Sequence, residues 1–162
     1  MRILGIDPGL ATIGFGVVDY SGNKFSVVEY GTVMSQAGFS LPERLKAVYD
    51  DMSFIIDKFK PDETAVEQLF FNTNAKTAIT VGQARGVLIL AAANAGLPVY
   101  EYTPLQVKQA VVGYGRADKN QVQQMVKSIL SLGAPPKPDD AADALAVAIC
   151  HAHSIGMLKI LR

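Results

Sequence analysis

Arg2-Ile3-Leu4-Gly5-Ile6-Asp7-Pro8-Gly9, residues 2–9, is a short apolar run closed by an acid and then by a Pro-Gly break. It reads as a buried strand ending at Asp7, because β-branched and apolar residues favour a pleated core and Pro-Gly cannot continue it. Residues 13–20 and 24–34 are two further β-rich runs, and Ser21-Gly22-Asn23 between them reads as a hairpin turn. Three antiparallel strands in series therefore open the chain. Leu41, Leu45, Val48, Met52, Ile55, Ile56 and Phe59 then recur at helical spacing, with Ser40 as N-cap and Glu43 completing a capping box. Pro61-Asp62 ends that helix, and residues 63–67 form a short strand closed by Glu67.

A second helix is expected from about Asn74 to Asn94, with Gly96 as its C-cap, and a fifth strand at residues 97–101. Helices at 104–110 and 119–131 follow, separated by Val111-Val112-Gly113-Tyr114-Gly115. Pro135, Pro136 and Pro138 make a stiff connector before a last helix from Asp140 to about His153. The strand–helix–strand–helix–strand order after the meander predicts an α/β fold. Its mixed sheet has five strands, three antiparallel and then two parallel, with helices on both faces. Between Thr77 and Ala95 the second helix carries a single charge, Arg85. A helix so apolar must be covered on more than one side, by another helix of this chain or by a second copy.

Bulk properties narrow the class. The 162 residues suffice for one domain, and 49% apolar with 19% charged residues is ordinary for a globular protein. The N-terminus enters a strand at once, so no leader is expected. The most apolar stretch, residues 86–93, is too short for a membrane span. Cys150 is the single cysteine, which excludes an intrachain disulfide and suits a reducing cytoplasm. His151 and His153 read as surface or cap histidines rather than metal ligands. The net charge is zero, but unevenly spread. Residues 1–67 carry ten acids and six bases (−4), residues 68–138 two acids and seven bases (+5), and residues 139–162 three acids and two bases (−1). The basic middle holds the candidate nucleic-acid contacts Lys76, Arg85, Lys108, Arg116 and Lys119, which otherwise simply solvate two helices.

Four carboxylates carry the chemistry. Asp7 and Glu67 end apolar strands, and Asp140 and Asp143 share a face of the last helix. Asp7 could instead cap a turn, Glu67 could be an exposed strand end, and Asp140 could complement a helix dipole. Asp143, inside an otherwise apolar helix, needs a partner. Brought together, such acids repel, and a hard divalent cation is the natural compensation, held by a few carboxylates and the phosphates of a substrate. Metal-assisted chemistry on a phosphodiester is the first reading. Gly5-Ile6-Asp7-Pro8-Gly9 with Gly14 and Gly16 also resembles the first phosphate loop of actin-like and sugar-kinase ATPases, but one domain of this length lacks the second half of such a site. Gly113 and Gly115 do not form a dinucleotide fingerprint.

The segments Ile-Leu-Gly-Ile-Asp-Pro-Gly, Val-Glu-Gln-Leu-Phe, Gly-Gln-Ala-Arg-Gly, Gln-Val-Lys-Gln-Ala-Val-Val-Gly and Asp-Ala-Ala-Asp-Ala-Leu-Ala resemble, in order and spacing across residues 1–153, the RuvC family of bacterial Holliday junction resolvases. The resemblance implies a ribonuclease H-like domain over residues 1–154; residues 155–162, a short C-terminal tail, lie outside the matched region and are assigned no role. It also implies a homodimer and magnesium-dependent cutting of four-way DNA junctions by paired nicks that leave 5′-phosphate and 3′-hydroxyl ends. Two ions per subunit, replaceable by manganese, and collaboration with the RuvA–RuvB branch-migration complex follow from the same likeness. Asp7, Glu67, Asp140 and Asp143 match the family's metal-binding acids, with Asp7 as the bridging one. Asp139 shares a helix face with Asp143 and competes with Asp140 for its role; the family spacing favours Asp140. Lys108 and Lys119 match basic residues near the cleaved strand, with Lys119 catalytic. Phe70, followed by Phe71, matches an aromatic that stacks on bases at the junction. A ribonuclease H-like nuclease of other specificity, an actin-like nucleotide binder and a non-catalytic junction-binding module are the competing readings.

Overall fold

The computed structural model describes residues 1–70 and 75–160. The elements follow the expected order. They are β1 (Arg2–Asp7), β2 (Thr12–Ser21), β3 (Lys24–Met34), α1 (Leu41–Phe59), β4 (Glu63–Glu67), α2 (Ala75–Asn94), β5 (Val99–Tyr102), α3 (Pro104–Val112), α4 (Lys119–Ile129) and α5 (Asp139–Ile160). Gly22 and Asn23 both take positive φ, 53° and 63°, which is the twist a two-residue hairpin turn demands. The Ser40 backbone N–H donates to Glu43 Oε2 at 2.8 Å, as the capping box requires. Gly96 closes α2 with φ 73°.

Some boundaries differ from expectation. α3 continues two residues further, α4 stops at Ile129, and β5 starts at Val99 and ends at Tyr102. α5 begins at Asp139 and does not stop near His153; it runs to Ile160, through the segment read as a tail. The start of α2 at Asn74 and the side chain of Phe71 lie outside the described residues. Among the described residues, no helix is long and apolar enough to cross a membrane.

The sheet order is β3-β2-β1-β4-β5, with β1, β2 and β3 antiparallel and β1, β4 and β5 parallel. β1 is therefore central, and alternate residues feed two cores. Ile3, Val18 and Ala65 join α3, α4 and α5 on one face. Leu4, Ile6, Val17 and Val66 join α1 and α2 on the other. Asp7 shares the parity of Ile3, and Glu67 that of Ala65, so both point to the α5 face.

Glycines let α5 lie close to that face. A Cβ on Gly5 would stand 2.2 Å from the Ala144 carbonyl oxygen, and one on Gly14 would stand 1.9 Å from that of Asp140. Real side chains cannot occupy those places. The missing methyl groups on β1 and β2 set the depth at which the first turns of α5, and with them Asp140 and Asp143, meet the sheet.

Candidate active site

Asp7 and Glu67 end adjacent parallel strands, one residue beyond the Ile6–Val66 register pair. Asp140 and Asp143 approach from the first two turns of α5. Asp7 lies within electrostatic reach of the other three acids, and Glu67 within reach of Asp7 and Asp143. Burial first, and then the charges of Glu67, Asp143 and Asp140, push the Asp7 carboxyl up to about 8. Glu67 is pushed up to about 7, again by burial first and then by Asp143, while a hydrogen bond with Asp7 pulls it back. Burial also raises Asp143, opposed by Lys119. Asp7, Glu67 and Asp143, all raised by burial beside one another, make a centre that gains from a positive charge.

Lys119, the first residue of α4, supplies one such charge. Its Nζ lies 3.2 Å from Asp143 Oδ2 and 3.6 Å from Asp139 Oδ2. Burial works against the ammonium, but Asp143, Asp139 and Asp140 outweigh it and its pKa is raised. Asp139 faces outward. Lys137 Nζ donates to it at 3.0 Å, and hydrogen bonds from Lys137 and Gln123 hold its carboxyl below the usual range. Asp140, not Asp139, is among the acids acting on Asp7.

The donor set suits a hard cation: carboxylate oxygens, desolvated, repelling and without sulfur or imidazole. Among the described residues no three acids close into a ready-made ion cage. Magnesium held by one or two carboxylates completes its coordination with waters and substrate phosphates. A cavity of about 210 Å³ opens beside the acids and is lined by Glu67, Lys108, Lys119, Asp143 and apolar residues of α3 and α4. It brings both lysines singled out in the sequence to the acidic centre.

The remaining candidates divide. Phe70 is 67% exposed, three residues past Glu67. Lys76 and Arg116 are exposed. Arg85 is largely covered: its Nε donates to the Glu67 carbonyl at 3.1 Å and its other end pairs with Glu101. His151 does not lie at the surface or at a helix cap as the sequence suggested. It is fully buried, with Nε2 2.6 Å from Glu63 Oε2 and Nδ1 2.7 Å from the Tyr102 hydroxyl. Its position inside the apolar run of α5 was the available sign, since a histidine there needs partners from the sheet. His153 is exposed, as expected.

A mixed sheet with β1 at its centre, carrying carboxylates at the ends of β1 and β4 and on a helix laid across them, defines a ribonuclease H-like protein. Residues 3–151 match the family model of crossover junction endodeoxyribonuclease RuvC. A crossover junction endodeoxyribonuclease RuvC of Clostridioides difficile is 60% identical over 162 residues, covering 100% of this chain and 96% of its own length. That of Alkaliphilus oremlandii is 60% identical over 154 residues, 95% of this chain and 94% of its own. The solved structure of Thermus thermophilus RuvC superposes with TM-score 0.90 at 39% identity, covering 97% of this chain and 96% of that one. The same T. thermophilus protein in complex with a Holliday junction substrate gives TM-score 0.89 at 37% identity over the same shares of the two chains. This chain belongs to the RuvC family of crossover junction endodeoxyribonucleases.

Proposed function

We propose that this protein is a structure-selective endodeoxyribonuclease that resolves four-way DNA junctions by paired, metal-dependent nicks, serving DNA recombination and repair in the cytoplasm. The convergence of Asp7, Glu67, Asp140 and Asp143 at one end of the sheet, in a chain of this family, carries the reading.

Asp7, Glu67, Asp140 and Asp143 are the residues that would hold magnesium or manganese, two ions per subunit. Such ions polarise a phosphodiester and activate a water. The chain's own groups do the rest. Asp7 and Glu67 would have to give up protons that burial makes them hold more tightly than free carboxyls do. Lys119 sits where it can neutralise charge on the scissile phosphate while offsetting the effect of burial on Asp143. Lys108, which lines the same cavity, would meet the same strand. The product is a nick with 5′-phosphate and 3′-hydroxyl ends.

Junction selectivity follows from symmetry. A four-way junction has approximate two-fold symmetry, and a two-fold dimer offers two identical sites to two strands of like polarity. α2 supports this dimer: Ala84, Leu88, Ala91 and Ala92 are its buried residues, while Ile79 and Leu90 are 63% and 51% exposed on its outer side. A second copy is the occupant proposed for that side. Phe70, exposed beside Glu67, would stack on bases opened at the crossover, with Phe71 next to it. Lys76 and Arg116 extend the basic surface. The RuvA–RuvB complex is the proposed partner in the cell.

Incubation with a synthetic four-way junction, linear duplex, RNA–DNA hybrid and ATP tests the reading. Symmetric nicking of the junction alone is expected with magnesium or manganese. Calcium should permit binding without cutting, and EDTA should abolish cutting. Hydrolysis of the hybrid or of ATP in preference to the junction would overturn the assignment.

A further inference from the structure

Arg85 is the only charge between Thr77 and Ala95 on α2, and it does not point to open solvent. Its side chain is 18% exposed. One end of the guanidinium donates to the backbone carbonyl of Glu67, and the other pairs with the Glu101 carboxylate. Glu101 is the register partner of Val66, the residue before Glu67. A single planar group thus joins α2 to the ends of β4 and β5 at the point where β4 delivers its acid.

The geometry separates two jobs at Glu67. The carboxylate faces Asp7 and the α5 side. The main chain of the same residue is held from α2. Beyond Glu67 the strand ladder continues by one bond, from the Gln68 N–H to the Tyr102 carbonyl at 2.8 Å. The chain then leaves the sheet at the exposed Phe70. A strand end in that position has few ties, and Arg85 adds one directly to the residue whose direction matters.

We propose that Arg85, locked by Glu101, is a positioning residue for the Glu67 carboxylate and couples α2 to the acidic centre. This rests on the functional reading above, and it gives Arg85 a different task from the DNA contact expected from its charge. Groups one step removed from a metal ligand tune the site by fixing the ligand's direction. Lysine cannot take over the role. It keeps the charge but offers one ammonium where the guanidinium reaches two acceptors with a rigid fork. A phosphate contact, by contrast, tolerates the exchange.

Arg85→Lys, Glu101→Gln and the double variant decide the matter, with four readouts: melting temperature, junction affinity in EDTA, Mn2+ affinity without DNA by electron paramagnetic resonance, and single-turnover cutting at saturating junction. Arg85→Lys should melt and bind junction like the parent, bind Mn2+ about tenfold more weakly and cut correspondingly more slowly. Glu101→Gln should move the last two readouts in the same direction. The double variant should be no worse than Arg85→Lys, because both changes break one unit. Unchanged Mn2+ affinity in both single variants overturns the proposal. So does a loss of junction binding in EDTA by either, which would make this pair a DNA contact. If Arg85→Lys does not fold, Glu101→Gln decides alone on the same readouts. A parent protein that binds no Mn2+ would sink the functional reading itself, whereas a parent that binds and cuts beside unaffected variants sinks only this inference.

Discussion

The carboxyl groups of Asp7 and Glu67, at the ends of the neighbouring parallel strands β1 and β4, share a hydrogen bond in a buried setting. That contact needs a proton between them, and burial supplies the reason: Asp7 is raised to about 8 and Glu67 to about 7. An acid whose folded pKa lies above its unfolded value of about 4 binds its proton more tightly in the folded state. The folded protein therefore loses stability as pH rises from about 4 to about 8, and loses no more from these two groups beyond that. Calorimetry in EDTA should show melting falling across this window. Millimolar magnesium should flatten the slope at its upper end. A melting temperature in EDTA that rises steadily from pH 5 to pH 8.5 would contradict the assignment.

Asp7→Asn removes one charge with little change of shape. Cutting should fall by at least about a hundredfold, as the loss of a ligand implies. Junction binding in calcium should persist. Relief of the repulsion should also raise the melting temperature in EDTA at pH 8 by roughly 5 °C, a gain on the order of 2 kcal/mol. A loss of both fold and binding would show Asp7 to be structural.

Lys119→Ala should slow turnover more than it weakens junction binding, because Lys119 is paired inside the acidic centre. Lys119 holds the Asp143 pKa down, so its removal should also move the acid limb of the pH–rate profile to higher pH. Lys108→Ala, which removes a positive charge acting on Glu67, should slow cutting less and also move that limb to higher pH. Normal rates for both variants in moderate salt would reduce these lysines to surface charges.

Gly14→Ala would put a methyl group 1.9 Å from the Asp140 carbonyl oxygen. The start of α5 must then lift from the sheet. The expected result is a stability loss of about 1–3 kcal/mol and a larger proportional loss of cutting, since Asp140 and Asp143 ride on the displaced turn. Gly22→Ala, with open space around its Cβ, should leave cutting unchanged despite its strained turn. Equal activities of the two variants would argue against close packing as the device that seats α5.

Phe70→Ala should leave melting and dimerisation nearly unchanged, because the ring is 67% exposed. It should slow cutting of a fully paired junction by removing base stacking worth ~1–3 kcal/mol. A junction with an unpaired centre should be cut almost normally. A defect equal on both junctions would rule out a wedge.

Much of this was legible in the chain itself, for local reasons. The Pro-Gly after Asp7, the hairpin at Gly22-Asn23, the heptad-like stripe of α1 and the capping box at Ser40 are signals carried within a few residues, and each element stands where they place it. The five ordered segments sufficed for the resemblance, and family membership bears it out. What the sequence left open depends on contacts between distant residues. Whether His151 meets water or Glu63 is decided by how α5 crosses β4 and β5, 88 residues away from Glu63 in the chain. Whether Arg85 is a free cation depends on β5 setting Glu101 beside it. The approach of Asp140 to Asp7 depends on Gly5 and Gly14 being bare where the helix lands. Periodicity and capping are properties of a segment, so sequence determined the elements and the acids they carry. The direction of each side chain and the depth of each contact come from packing faces together, and only the tertiary structure decided those.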